Sequence, residues 1–291
     1  MQHITILDGG MGQELLRRSA RPATPMWSAD IMLNEPALVK QLHLDFIHAG
    51  ARVITLNTYT ATPSRLTREN HLADLAQLHK SAMQAASDAV EVSGIDEVKI
   101  AGCLPPLVAS YKSEAALSFA RSLTEYRQLV ALQNPASDIF ICETMSSITE
   151  ASAACVAAKE SGKPVWLALS VKDDNSQQLR SGEALSVALK ELAQYQPDAV
   201  LLNCSKPEAI DACWPIMQQS NFVLGAYANG FTSVETLFPG DTVEHLQTRK
   251  DLTPQAYADK AQGWIEQGAT IVGGCCEIGP AHIAQLTKQI V

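Results

Sequence analysis

The sequence predicts a (β/α)8 barrel that forms a single domain over residues 1–291. Eight short apolar segments are each followed by a longer amphipathic segment. The apolar segments are continuous rather than alternating, which is typical of strands buried on both faces of a parallel sheet. Eight such units in about 250–300 residues fit a closed barrel. An open doubly wound sheet is the alternative, and the absence of a Gly-x-Gly-x-x-Gly sequence after the first segment weighs against it.

The predicted strands are short runs of aliphatic residues that end in polar or glycine residues. They cover residues 4–7, 53–56, 98–101, 139–142, 165–169, 199–202, 222–227 and 270–272. A loop containing Pro22 and Pro25 is expected after the first strand, and a second long loop is expected after residue 227.

The predicted helices show apolar residues at helical spacing between these strands. They cover residues 36–49, 66–93, 113–132, 147–161, 183–195 and 207–219, with two more beginning near residues 253 and 280. Thr253 is expected to cap its helix, with Pro254 in the first turn. Pro215 is expected to kink or break the helix that contains it.

The composition limits the partners of the chain. Its net charge is −9 and no basic cluster exceeds a pair, so neither nucleic acid nor an anionic membrane surface is an expected partner. No apolar run approaches the ~18–20 residues of a membrane span, and no signal peptide precedes the first strand. Seven cysteines without a small-domain disulfide pattern indicate a reduced, cytoplasmic protein.

Three cysteines at predicted strand ends indicate a metal site. Cys275 and Cys276 are adjacent, and their Cα separation of about 3.8 Å is too short for a usual disulfide. Cys204 ends a strand on the same rim, where the active site of a barrel lies. Three thiolates with an open fourth position describe a catalytic zinc site. The alternative is that these are buried, inert cysteines.

Several motifs resemble the homocysteine S-methyltransferase family. They are Asp8-Gly9-Gly10, Glu143-Thr144, Asn203-Cys204-Ser205-x-Pro207 and Gly273-Gly274-Cys275-Cys276-x-x-Gly279-Pro280-x-His282-Ile283, in the family's order. The resemblance implies a zinc-dependent (β/α)8 barrel that methylates homocysteine to methionine, with Cys204, Cys275 and Cys276 as the zinc ligands. The sequence departs from the family at Glu277, where many members have glycine, and at Cys103-Leu104-Pro105-Pro106.

The resemblance also suggests residues that bind the acceptor. Asp8 and Glu143 are candidates for its ammonium group, although a turn-stabilising residue and a buried ion pair are the structural alternatives. By the same resemblance, the amides of Gly9 and Gly10 and the side chain of Thr58 are candidates for its carboxylate.

Other candidates concern the methyl donor and the shape of the pocket. Trp27 is similar in position to the family's donor-pocket tryptophan, and an aromatic face suits a sulfonium or quaternary ammonium. Its alternative role is packing within a lid. Asn203 orients either a loop or a ligand, and Tyr59 and Asn229 are further pocket candidates. Cys103 is expected to take no part.

The sequence therefore predicts methyl transfer from a sulfonium donor to homocysteine. The expected donor is S-methylmethionine, with S-adenosylmethionine as a slower substitute, because the betaine-type extension and the folate and cobalamin modules are not found here. Within this class the alternatives are betaine as donor, or selenocysteine or another small thiol as acceptor. From other classes, a zinc hydrolase and a non-catalytic zinc-binding barrel are the alternatives. The oligomeric state is left open.

Overall fold

The computed structural model describes residues 3–241 and 246–290. Eight parallel strands form one sheet in the order β1-β8-β7-β6-β5-β4-β3-β2. They are β1 (Thr5–Ile6), β2 (Val53–Thr55), β3 (Lys99–Leu104), β4 (Ile139–Met145), β5 (Val165–Leu169), β6 (Ala199–Asn203), β7 (Leu224–Tyr227) and β8 (Ala269–Val272). A parallel bridge between Leu7 and Val53 joins β1 to β2 and closes the sheet into a barrel. The predicted (β/α)8 fold is confirmed.

The helices surround the barrel. They are α1 (Met11–Arg18), α2 (Ser28–Asn34), α3 (Pro36–His48), α4 (Pro63–Arg68), α5 (Leu75–Ser93), α6 (Phe119–Gln133), α7 (Ile148–Lys159), α8 (Leu185–Leu192), α9 (Pro207–Met217), α10 (Pro254–Glu266) and α11 (Pro280–Ile290). The Thr253 hydroxyl accepts a hydrogen bond from the amide of Ala256, as expected of the cap of α10.

Two expectations about local structure were wrong. The segment predicted as a loop after β1 contains α1 and α2. Helix α6 begins at Phe119 instead of near residue 113, and a separate 3₁₀ turn at Ser113–Ala115 precedes it. Of the two alternatives for Pro215, a break is excluded because α9 continues through it to Met217, and a kink stays a prediction.

Two apolar layers stabilise the fold. The barrel interior is filled by inward-facing side chains of the strands, including Leu7, Ile141, Leu201 and Ile271. A larger layer lies between the strands and the helices. Filling the interior closes the barrel to solvent along its length, so only the ends are available for a ligand site.

Among the residues described, no helix combines the length and the apolar character needed to cross a membrane.

Candidate active site

A cavity that opens to solvent lies at the carboxyl ends of the strands, and the space between its walls, including open solvent, is about 870 Å³. Its walls come from Ile141 and Glu143 within β4, from residues at or after the ends of β1, β2, β3, β6, β7 and β8, from α1 and from the start of α2. Those that carry chemistry are Asp8, Gln13, Trp27, Tyr59, Tyr111, Glu143, Cys204, Tyr227, Cys275 and Cys276. The barrel thus brings together side chains that are more than 250 residues apart in the sequence.

The three cysteines form a compact cluster in this cavity. The Sγ atoms of Cys204, Cys275 and Cys276 all lie within 4.8 Å of one another, and the distance from Cys204 Sγ to Cys276 Sγ is 3.8 Å. Cys204 has a left-handed backbone with φ 47°. A non-glycine residue in that region is strained, and such strain is commonly found at functional sites. The cluster has the donor set and spacing that a metal ion requires.

Glycines allow the cysteine loop to pack on the end of β1. A Cβ atom at Gly9 would overlap the carbonyl oxygen of Ile278, and one at Gly10 would lie 2.5 Å from the carbonyl oxygen of Cys275. The Gly274 amide donates a hydrogen bond to the carbonyl of Asp8 at 2.9 Å. The position of Cys275 and Cys276 therefore depends on backbone-to-backbone contact with β1.

Hydrogen bonds concentrate negative charge on one thiol of the cluster. Burial alone would raise the pKa of Cys204, but bonds from Cys275, Cys276 and Tyr111 lower it well below its ordinary value. The Tyr111 hydroxyl lies 3.0 Å from Cys204 Sγ, and the guanidinium of Arg180 lies 5.2 Å from the centre of the Tyr111 ring. Burial raises the pKa of Cys275. These hydrogen bonds favour ionisation of Cys204 over that of Cys275.

Two carboxyl groups face the same cavity. Asp8 accepts hydrogen bonds from the Thr55 amide at 2.7 Å and the Thr55 hydroxyl at 3.3 Å. Burial, with a smaller contribution from Glu143, raises the pKa of Asp8 to about 8. The Cys103 thiol donates to Glu143 Oε1 at 2.9 Å. Burial also raises the pKa of Glu143 to about 7, with the negative charge of Cys204 acting in the same direction. A cationic partner would stabilise the ionised form of both carboxyl groups.

Some predicted site residues are engaged elsewhere. The Thr58 hydroxyl points to Gln133 Oε1 at 3.4 Å, and its side chain does not line the cavity. The Gly10 amide donates to the carbonyl of Ile278 at 2.9 Å. Asn203 is fully buried and exchanges two hydrogen bonds of 2.9 Å with Thr144. These contacts give Asn203 a role in orienting the ends of β4 and β6.

The sequence did not point to two residues that line the cavity, or to a third that contacts one of its lining residues. Gln13 lies in the unpredicted helix α1, and Tyr111 lies in an irregular segment after β3. Cys103, which was expected to take no part, contacts Glu143. None belongs to a motif with a recognisable spacing, so only the folded chain brings them to the site.

The fold and the site define a (β/α)8-barrel protein with a three-thiol centre that could bind a metal ion. A family model described as homocysteine S-methyltransferase matches residues 5–290. The chain therefore belongs to the homocysteine S-methyltransferase family, and it is an enzyme of the class that transfers methyl groups to homocysteine. The resemblance seen in the sequence motifs is confirmed.

Individual relatives agree with this assignment. The chain is 28% identical to homocysteine S-methyltransferase of Escherichia coli (strain K12), covering 99% of this chain and 96% of that one. It is 27% identical to homocysteine S-methyltransferase YbgG of Bacillus subtilis (strain 168), covering 97% of this chain and 93% of that one. The chain also superposes on the crystal structure of the homocysteine methyltransferase MmuM from Escherichia coli in its metallated form. The TM-score is 0.83 at 25% identity, and the match covers 99% of this chain and 96% of that one.

Proposed function

We propose that this protein transfers a methyl group from S-methylmethionine to homocysteine at a zinc ion held by Cys204, Cys275 and Cys276. The observation that carries the proposal is the spacing of the three sulfur atoms. Thiolates bound to one tetrahedral zinc at about 2.3 Å lie about 3.8 Å from each other, and Cys204 and Cys276 have a sulfur separation of 3.8 Å. Zinc bound there would supply the positive charge that converts the acceptor thiol to a thiolate at neutral pH.

The surrounding residues would bind and orient the acceptor. Asp8 is buried and Glu143 is partly buried, and withdrawal from solvent is the main cause of their raised pKa values. An amino-acid ammonium group would satisfy both carboxyls and draw them into the ionised form. The amide of Gly9 and, after local rearrangement, that of Gly10 are the candidates for the carboxylate; Thr58 would act through its neighbours.

The aromatic wall of the cavity suits a cationic donor. The rings of Trp27 and Tyr59 meet edge to face at a centroid distance of 6.1 Å. A sulfonium methyl group packed against such rings is stabilised by cation–π attraction, which is lost as the donor becomes neutral. In the transfer, a new sulfur–methyl bond forms on homocysteine while the donor's sulfur–methyl bond breaks, and its electron pair stays on the donor sulfur. The proton of the acceptor thiol is released.

Metal analysis tests the centre of this proposal. Protein purified under reducing conditions should contain about one zinc per chain. Ser at Cys204, Cys275 or Cys276 should remove it, whereas Cys213→Ala, a change in the outer helix layer, should not. Full zinc retention in all three serine variants would disprove the ligand set.

A donor panel tests the reaction. Methionine formation from homocysteine is measured by mass spectrometry with S-methylmethionine, S-adenosylmethionine and betaine. We expect turnover to be fastest with S-methylmethionine. A thioether leaves more readily from a sulfonium than a tertiary amine leaves from the quaternary ammonium of betaine. Turnover with betaine alone would overturn the donor assignment and leave the zinc centre standing.

A further inference from the structure

Gln13 lines the cavity, and its side-chain amide is buried and unsatisfied. Its side chain is only 6% exposed, and neither its Nε2 nor its Oε1 atom has a hydrogen-bond partner among the described residues. Buried side-chain amides nearly always have hydrogen-bond partners, because burial removes their hydrogen bonds to water and those bonds must be replaced. An amide left open in a cavity wall therefore indicates a partner that arrives with a ligand.

The second buried glutamine near the site shows what a structural amide looks like in this barrel. Gln133 accepts a hydrogen bond from the Cys103 amide at 2.7 Å and donates one to the Cys103 carbonyl at 2.9 Å. Its Oε1 also accepts from the Thr58 hydroxyl at 3.4 Å, so both polar atoms of Gln133 have partners, and Gln133 does not line the cavity. Gln13 differs from it in both respects.

A second unsatisfied donor belongs to Trp27, another residue that lines the cavity. The indole ring of Trp27 packs against Gly12, where a Cβ atom would lie 2.9 Å from Nε1. This Nε1 is buried and also has no partner among the described residues. Two residues of the cavity wall, Gln13 and Trp27, thus hold two donor nitrogens and one carbonyl acceptor that have no partner among the described residues.

These three groups match the two charged ends of an α-amino acid. A carboxylate accepts from the N–H groups of Gln13 and Trp27, and an ammonium group donates to Gln13 Oε1. Asp8 and Glu143 already provide for one ammonium group, so a second amino-acid binding position is available for the donor. Betaine has no N–H group and would leave Gln13 Oε1 unpaired.

We propose that Gln13, together with the indole N–H of Trp27, binds the α-amino-acid end of the methyl donor and selects sulfonium amino acids. The inference rests on the proposed function and narrows it to a donor class. Gln13 is a specificity-determining residue in this account, because it contacts the part of the donor that is remote from the reacting sulfur.

Substitution of Gln13 is tested against chemically matched donors. The donors are S-methylmethionine, its N-acetyl derivative and its carboxamide, which lack the ammonium and the carboxylate respectively. Gln13→Met keeps the length of the side chain and removes its hydrogen bonds, so the donor KM should rise about 5- to 100-fold. The KM for homocysteine and the zinc content should not change. With the two modified donors the KM of the wild type should already be high. The ratio of the donor KM of Gln13→Met to that of the wild type should therefore be smaller than with S-methylmethionine.

Two further variants complete the test. Gln13→Glu retains a hydrogen-bond acceptor but repels a carboxylate. It should therefore raise the KM for S-methylmethionine more than the KM for its carboxamide. Gln84→Met makes the same chemical change on the exposed face of α5 and should leave both KM values unchanged.

The outcomes separate this inference from the proposed function. Wild-type turnover of S-methylmethionine with an unchanged donor KM in Gln13→Met would overturn the inference alone. A rise in the homocysteine KM instead would assign Gln13 to the acceptor and also overturn it. If the wild type uses betaine only, or none of the donors, the donor assignment fails and the inference fails with it.

Discussion

Asp8 is buried and Glu143 is partly buried, and withdrawal from water disfavours the ionised form of both carboxyl groups. Burial raises their pKa values to about 8 and about 7, so near neutrality much of the pair is protonated. Above about pH 5 these two carboxyl groups have lost their protons in the unfolded state but retain them in the folded state. By linkage, their contribution to the free energy of unfolding falls as pH rises from about 5 to 8. The ammonium group of a substrate would reverse that cost.

Replacing Glu143 by glutamine tests this balance. Glu143→Gln should raise the homocysteine KM about 10- to 150-fold at pH 8, where a charge-assisted hydrogen bond worth about 1.5–3 kcal/mol is lost. The penalty should shrink towards pH 6, because the wild-type carboxyl is then protonated and resembles the amide. Steady-state kinetics at several pH values, with zinc content measured in parallel, check the prediction.

The same variant should be more stable than the wild type without substrate at pH 8, measured by thermal unfolding. Glu91→Gln, on the exposed face of α5, is the control and should change neither KM nor stability. A KM for Glu143→Gln that equals the wild-type value at every pH would make Glu143 a structural residue.

At the scale of elements, the site depends on close contact between the end of β1 and the loop after β8. Gly9 faces the carbonyl oxygen of Ile278 so closely that no Cβ fits between them. Gly9→Ala should push the loop away, displace Cys275 and Cys276, and weaken metal binding by about 10- to 100-fold, as loss of supporting contacts does at other metal sites. Competition with a chelator of known affinity measures this.

Gly263→Ala provides the matched control. Gly263 lies within α10 and its Cβ position has no atom within 4 Å. Alanine there should stabilise the helix by about 1 kcal/mol and leave metal affinity unchanged. Equal metal affinity in Gly9→Ala and wild type would show that the cysteine loop keeps its position without this contact.

Local sequence patterns predicted the strands better than the segment that follows β1. Each strand is a continuous aliphatic run, and burial on both faces makes that signal strong. Helix α1 was missed because it is short, begins beside two glycines and relies on pairs of Glu14 with Arg17 and Arg18 at 2.9 and 2.8 Å. Such surface pairs are a weak signal in a single sequence.

At the scale of the whole molecule, the order of strands decides which distant residues meet. The cysteines were predictable because β6 and β8 end on the same rim and because the paired cysteines form a motif. Gln13 and Tyr111 reach the same cavity from α1 and from the chain after β3, Cys103 of β3 contacts the cavity residue Glu143, and no spacing relates the three. Their contribution depends on side-chain directions that closure of the barrel determines, so the sequence alone did not reveal them.

Metal binding should couple these distant elements to global stability. The proposed ligands join the end of β6 to the loop after β8, so a metal held by all three would favour the folded barrel over the unfolded chain. Free metal at about 1,000 times its dissociation constant would add about 4 kcal/mol to the free energy of unfolding. At about 2.1 cal/mol/K of unfolding entropy per residue, this corresponds to a Tm increase of roughly 7 °C for 291 residues.

The experiment compares thermal unfolding of zinc-loaded, chelator-treated and zinc-restored protein. Cys204→Ser should unfold near the Tm of the chelated wild type and should not respond to zinc. Homocysteine should raise the Tm further only in the loaded wild type, because its sulfur needs the metal while its ammonium needs Asp8 and Glu143. An identical Tm before and after removal of bound zinc would mean that the metal does not link β6 to the loop after β8. An increase with homocysteine in the metal-free protein would mean that the two carboxyls alone suffice for binding.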